Sequence, residues 1–300
     1  MAKGFGNARK IGCFGGTGLK ILVIDSQGKA GHVVSLFMQQ QGHGVTGYSE
    51  ALSGKVQTIV GSLYDTGLIQ RVVGDGDYDA VINCSAIINQ FAEDDKAAAS
   101  FINTYLPHFL AKITAGTQTV LVHRSTDCVF SGRRGNYGAD DVPDAASFYA
   151  RTKAVGEVIN NKDITIRTSL VGPEYEKEGI GLFNWYHNRQ GDVSGFANAL
   201  WTGLTTIEFA REIESLILQH AHGLFHLVPE HAISKYDLLL LFQKHFPGDR
   251  KVLRVENSPV DKSLLQVLNG YDISVPDYES MIEEMAAWIS SHKELYPHYN

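Results

Sequence analysis

Two short segments carry residues that could do chemistry together. In Tyr149-Ala-Arg-Thr-Lys153 the tyrosine and lysine are four apart, which on a helix puts both side chains on one face. A free phenol has a pKa of about 10, and a neighbouring ammonium favours the phenolate and lowers that value. Such a pair can give a proton to a carbonyl oxygen as a hydride arrives at its carbon. Upstream, Val120-Leu-Val-His-Arg-Ser125-Thr126-Asp127-Cys128-Val129-Phe130 reads as a strand that ends in hydroxyl residues. Strand carboxyl ends line the ligand crevice of an open α/β sheet, so Thr126 can bond the same substrate oxygen as Tyr149. Cys128 reads most simply as a small side chain filling space below the site.

A strand end and a helix meet in this way only inside a layered α/β fold, and the chain alternates accordingly. Lys20–Ile24 reads as a strand, His32–Gln41 as a helix closed by Gly42-His-Gly44, and Val45–Tyr48 and Val56–Val60 as strands. Asp65 caps a helix through Leu68–Val73, and Asp79–Asn83 is a fourth strand. Ala92–Ala115 reads as one long helix bent near Pro107, Thr119–His123 as a strand, Ala146–Asn160 as the helix of Tyr149 and Lys153, and Ile164–Thr168 as a sixth strand. The prediction is an α/β fold, a Rossmann doubly wound parallel sheet with a smaller α/β substrate-binding C-terminal portion. After Gly172 the pattern loosens. Helices are expected at Leu182–His187, Thr206–Gln219, Tyr236–Phe246 and Tyr278–Ser291, with a strand at Leu224–Val228.

Two glycine clusters compete for the phosphate loop of such a fold. Gly12-Cys-Phe-Gly15-Gly16-Thr-Gly18 follows only a two-residue apolar run, whereas Gly28-x-x-Gly31 lies directly after Ile21–Ile24 and directly before a helix. Backbone N–H groups at a helix start are what face a pyrophosphate, so the second cluster is preferred. In the expected G-x-x-G-x-x-G form, Asp25 stands at the first glycine. Glu50 and Tyr48 are candidate ribose and adenine neighbours. On this reading residues 1–19 are an N-terminal extension, 20–172 bind a dinucleotide with 196–222 returning to that unit, and 173–300 mainly bind substrate.

The 300 residues are 44% hydrophobic and 20% charged, which is ordinary globular usage and excludes a disordered chain. Thirty glycines without a Gly-x-y period exclude collagen. A formal charge of −7 argues against nucleic acid as a partner. Cys13, Cys84 and Cys128 make no disulfide framework, no apolar run spans a membrane, and the expected compartment is the cytoplasm. His220, His222, His226 and His231 crowd together without ligand spacing, so no metal is expected. Trp185, Trp201 and Trp288 read as core, Glu93-Asp-Asp95 as a solvated face, and Arg167 as either a phosphate ligand or a donor to backbone carbonyls.

With these pieces in order, the chain resembles the extended short-chain dehydrogenase/reductases, in the dTDP-4-dehydrorhamnose reductase branch. The matching segments are Ile21–Gly31, Val81-Ile-Asn-Cys-Ser-Ala86, Ser125-Thr-Asp-Cys-Val-Phe-Ser-Gly132, Tyr137-Gly-Ala-Asp-Asp141, Tyr149–Lys153 with Gly156-Glu157, Ile166-Arg-Thr-Ser169, Gly223-Leu-Phe-His-Leu227 and Ser234-Lys-Tyr-Asp237. The resemblance covers roughly residues 20 to 270. It implies NADP or NAD as cofactor and reduction of the 4-keto group of a nucleotide-activated 4-keto-6-deoxy sugar, for deoxy-sugar and polysaccharide biosynthesis. Tyr149 would be the proton donor, Lys153 its tuner and the ribose holder, Thr126 the hydroxyl partner, and Asp127 a neighbour of the substrate. Gly28, Lys29 and Gly31 would hold the pyrophosphate, Ser62 and Leu63 the adenine end, and Cys84, Ser85 and Ala86 would run along the cofactor. The substrate partner is a nucleotide sugar, and a homodimer is compatible with the family. Three positions depart from the pattern: Asp25 for glycine, Ser62 for the adenine-contacting Asp, and Leu170 for the Trp that rhamnose enzymes hold against the sugar. Two rival functions remain. One, implied by the likeness of Cys128 to a cysteine of the related GDP-fucose synthases, is an epimerase-reductase in which a thiolate and a partner acid, His187 the nearest, invert the acidic carbon beside the ketone. The other is a non-catalytic NAD(P)-binding regulatory subunit, resembling that of methionine adenosyltransferase.

Overall fold

A computed structural model describes residues 18–52, 54–256 and 259–299. The first glycine cluster, Gly18 excepted, lies outside the described residues, as does most of the expected extension.

The chain begins β1 (Lys20–Ile24), α1 (Gly31–Gln40), β2 (Gly44–Ser49), β3 (Gln57–Val60), α2 (Thr66–Gly76) and β4 (Ala80–Asn83). It continues through α3 (Asn89–Asp94), α4 (Lys96–Ala99), a π-wound segment Ser100–Tyr105, α5 (Leu106–Ile113), β5 (Val120–Arg124), α6 (Phe148–Val155), β6 (Ile164–Arg167) and β7 (Leu170–Val171). Beyond these come α7 (Leu182–Asn188), β8 (Val193–Phe196), β9 (Ala199–Trp201), β10 (Leu204–Thr205), α8 (Thr206–Leu218), β11 (Gly223–His226) and β12 (Ile233–Ser234). The last elements are α9 (Lys235–His245), β13 (Val252–Val255), β14 (Val260–Asp261) and α10 (Tyr278–Ser291).

Seven strands form the main sheet in the order β11-β6-β5-β4-β1-β2-β3, every neighbouring pair parallel. Successive β1 side chains serve opposite cores, as the pleat requires. Ile21 and Val23 pack with Val33, Val34, Phe209 and Ile213 of α1 and α8. Leu22 and Ile24 pack with Ile69, Leu106 and Leu110 of α2 and α5. A strand covered on both faces reads as a continuous apolar run, and this is why β1 is legible in sequence. Strand order reverses between β1 and β4, so the crevice of the fold opens at their carboxyl ends. The C-terminal part adds three small sheets, β7 with β10, β8 with β13, and β9 between β12 and β14. Among the described residues no helix is long and apolar enough to cross a membrane.

The predicted helix 92–115 is in fact two runs, the end of α3 and then α4, the π-wound segment and α5 continuing one into the next. Its break falls at Asp95, whose carboxylate caps α4 through Ala98 N–H at 2.9 Å, while Pro107 sits harmlessly near the start of α5. The acidic run is therefore more than a solvated face, since Glu93 Oε1 also accepts from Phe148 N–H at 2.5 Å at the start of α6. The predicted helix 146–160 is shorter, because α6 ends at Gly156. A Cβ there would lie 1.9 Å from the Asn103 carbonyl oxygen, so glycine allows the helix end to touch the π-wound segment. The main sheet also takes β11, which the reading assigned to the C-terminal portion. The alternation of Leu224 and Phe225 suits an outer strand laid on β6.

Candidate active site

A cavity of about 290 Å³ opens at the carboxyl ends of β1, β4 and β5. Of the residues singled out in sequence for the site, Asp25, Lys29, Cys84, Ala86, Thr126, Cys128, Tyr149 and Leu170 line it. Ser147 caps α6 by accepting from Ala150 N–H, which aims Tyr149 inward. Thr126 is fixed at the end of β5: its hydroxyl donates to Asp127 Oδ1 and accepts from Cys128 N–H, both at 3.1 Å. Tyr149 is buried, and burial raises its pKa above the ordinary phenol value. The neighbouring Cys128 adds to that rise, while Arg124 and a bond to the Thr126 hydroxyl oppose it.

Lys153 is tied to the end of β5. Its ammonium donates to the Arg124 carbonyl at 2.7 Å and lies 3.5 Å from His123 Nε2. Burial, with Arg124 beside it, lowers its pKa to about 7. His123 is held neutral by burial, and its other nitrogen meets Asn83 Nδ2 at 3.2 Å. The Asn83–His123–Lys153 chain thus anchors the floor of the site, and the cation that lowers the Tyr149 pKa is Arg124. Asp127 is buried; burial raises its pKa against the pull of Lys262 and Lys235.

The glycine-rich turn fits a dinucleotide with one departure. A Cβ on Gly31 would lie 2.0 Å from the Asp25 carbonyl oxygen, so glycine lets α1 approach β1 closely. Asp25 adopts φ 61°, the left-handed conformation suited to the first glycine. Its carboxylate fills the space a Gly28 side chain would occupy, 2.2 Å from the ideal Cβ position. Burial pushes the Asp25 carboxyl up to about 6, against the pull of Arg124. The folded chain therefore holds this proton more tightly than the unfolded chain, and stability falls as pH rises from about 4 through 6. Asp25→Asn is expected to be more stable than the parent by about 3 kcal/mol at pH 7, with most of the difference gone near pH 4. Urea unfolding at the two pH values checks this, and an equal difference at both would refute it.

Other expected cofactor residues are placed less directly. Lys29 lines the cavity, yet its ammonium is paired with Glu174 at 3.0 Å, and Glu174 also accepts from Gly181 N–H at 2.7 Å. This ties the phosphate loop to the 172–181 segment. Ser85 is turned inward, its hydroxyl donating to Asn83 Oδ1 at 2.7 Å. Ser62 and Leu63 lie beyond β3, outside the cavity lining. The Ser62 hydroxyl donates to Glu50 at 3.2 Å and its carbonyl accepts from Tyr48 at 2.8 Å.

Cys128 and His187 are not brought together. His187 rests against the rings of Phe183 and Tyr299, outside the lining. Burial and Asp127 push the Cys128 thiol up to about 11, so it stays protonated at neutral pH. Arg167 is committed to Glu157 and serves structure. His226 is buried against Arg167 and the Leu265 carbonyl.

Among the lining residues to which the sequence reading gave no part in the site are Arg124, Lys235 and Trp201. Trp201 is buried as expected of core, but its ring carries the Lys235 ammonium 4.9 Å from its centroid. Burial pushes Lys235 down to about 8. Strand alternation could have found Arg124, which lies two residues before Thr126 and shares its face.

A parallel doubly wound sheet with Thr126, Tyr149 and Lys153 gathered at its carboxyl edge is the architecture of the short-chain dehydrogenase/reductase class. Within that class, the RmlD substrate binding domain family matches residues 19–263, and the chain belongs to it. The probable low-salt glycan biosynthesis reductase Agl14 of Haloferax volcanii is 27% identical over 231 residues, 72% of this chain and 76% of that protein. The dTDP-4-dehydrorhamnose reductase of Mycolicibacterium smegmatis is 31% identical over 141 residues, 46% of this chain and 40% of that protein. The crystal structure of dTDP-4-dehydrorhamnose reductase from Bacillus anthracis in complex with NADP superposes with a TM-score of 0.75 at 19% identity, covering 90% of this chain and 99% of that one.

Proposed function

We propose that this chain is an NAD(P)H-dependent reductase of the 4-keto group of a nucleotide-activated 4-keto-6-deoxy sugar. The observation that carries the reading is the convergence of Tyr149 and Thr126 in one cavity with the phosphate-loop residues Asp25, Lys29 and Ala30. A nicotinamide held in this cavity would supply the hydride for the sugar carbonyl carbon. Tyr149 holds the proton for the carbonyl oxygen, and its raised pKa keeps the phenol protonated at neutral pH. Thr126 orients that oxygen with a hydroxyl already fixed by Asp127. Lys153 holds the ribose side of the cofactor. Gly28, Gly31 and the start of α1 would hold the diphosphate, Cys84 and Ala86 of the cavity wall would lie alongside with Ser85 behind them, and Ser62 and Leu63 would border the adenine end. Residues 20–172 with 196–222 bind the cofactor, and 173–300 mainly bind the sugar nucleotide. Lys235 over Trp201 contributes a cation at the sugar end. The cytosol is the compartment of action.

The test is consumption of NADPH or NADH with dTDP- and UDP-linked 4-keto-6-deoxy sugars, preceded by calorimetric titration of both cofactors. Turnover of one sugar nucleotide is expected. Binding of neither cofactor would overturn the reading. Cofactor binding without turnover on any keto sugar would favour a non-catalytic subunit, a role that the preserved Thr126, Tyr149 and Lys153 oppose. The epimerase-reductase is disfavoured by the protonated Cys128 and the distant His187.

A further inference from the structure

Asp25 and Arg124 stand on the two sides of the fold's switch point. Asp25 directly follows β1; Arg124 ends β5, and its side chain reaches across the end of β4, Nη2 donating to the Cys84 carbonyl at 3.3 Å. Arg124 is the foremost charge acting on Asp25. The two share the cavity lining, yet no ion pair joins them within 4.0 Å. Arg124 Nε is buried and has no hydrogen-bond partner. The other cations of the cavity are occupied or placed elsewhere: Lys29 is paired with Glu174, and Lys235 lies over Trp201. Ligands of open α/β sheets cross the carboxyl ends at the switch point, which here is where this guanidinium lies. A planar guanidinium with free N–H groups matches phosphate oxygens in geometry as well as in charge. The carboxylate that Asp25 puts in the loop repels a diphosphate, and a cation beside it removes the penalty.

We propose that Arg124 is a cofactor-binding residue of this chain, taking the dinucleotide's diphosphate and offsetting the charge of Asp25. The proposal rests on the dinucleotide reading given above. It makes Asp25 and Arg124 a coupled pair, so that the carboxylate is tolerable only while the guanidinium is present.

The experiment is calorimetric titration of NADPH, NADH and ADP-ribose, which keeps the diphosphate and lacks the nicotinamide. The proteins are the parent, Arg124→Met, Asp25→Asn and the double variant. Arg124→Met is expected to weaken NADPH and ADP-ribose alike by about 10- to 100-fold, the worth of one or two charge-assisted bonds. Asp25→Asn is expected to tighten both, and by a larger factor when combined with Arg124→Met than in the parent. Should Arg124→Met fail to fold, Arg124→Gln keeps a donor for the Cys84 carbonyl, and the same loss is expected. Unchanged or tighter binding in these Arg124 variants overturns the inference, as does a loss confined to NADPH with ADP-ribose unaffected. If the parent binds none of the three ligands, the dinucleotide reading fails and this inference falls with it.

Discussion

Replacing Tyr149 with Phe is expected to lower kcat for keto-sugar reduction by about two to four orders of magnitude, the range of general acid catalysis, and to leave NADPH affinity within about twofold. The phenol is the buried hydroxyl that shares the cavity with Thr126. Burial and Cys128 keep it protonated well above neutrality. It is therefore an acid in the reducing direction over the whole neutral range, and Phe removes that acid without changing ring volume. The pH profile carries the same information. A limb near pH 7 is expected from Lys153, held at about 7, and no limb from Tyr149. Steady-state kinetics with a parallel melting curve separate chemistry from folding. A variant that kept more than a tenth of the parent kcat would remove Tyr149 from the proton path.

Glu157→Gln is expected to cost about 3–5 kcal/mol of stability, because it leaves a buried cation without its counter-charge. Arg167 and Glu157 are only 3% and 4% exposed. Their bond is two-pronged, Nε to Oε1 at 2.7 Å and Nη2 to Oε2 at 2.8 Å, and the Ser125 hydroxyl also donates to Glu157 at 2.6 Å. The pair therefore clamps β6 to the residue just before Thr126. Urea unfolding measures the loss. Pairing Glu157→Gln with Arg167→Met is expected to recover a large part of it, since an apolar replacement removes the stranded charge. A single-variant loss under about 1 kcal/mol would contradict the assignment.

Elements governed by local pattern were legible in the chain. β1 is covered on both faces, so Ile21–Ile24 announces itself, and the four-residue spacing of Tyr149 and Lys153 needs only a helix to align them. The limits of α6 were not legible, because Gly156 ends it through contact with Asn103, far away in sequence. The direction of Lys153 was equally hidden. Its partner is a backbone carbonyl, and carbonyls leave no trace in residue type. Arg124 shares the strand-end face of Thr126, but only the positions of β4 and β1 show what its side chain crosses. Trp201 is core and cavity wall at once, a dual role that hydropathy cannot express.

The π-wound segment Ser100–Tyr105 has a consequence for length. A turn wound wide holds more residues over the same rise than an α-turn does. Asn103 sits in that turn and bonds the Ile87 N–H at 2.9 Å, the Ile87 carbonyl at 2.8 Å and the Thr152 hydroxyl at 3.2 Å. It thereby spaces the β4 loop from the catalytic helix. Removing one residue between 100 and 105 would let the winding relax to α geometry, sparing the helix beyond it the rotation of about 100° that a deletion imposes on a regular α-helix, but closing the wide turn that carries Asn103. The count of residues here acts as a gauge block, setting the gap between cofactor wall and proton donor independently of which side chains fill it.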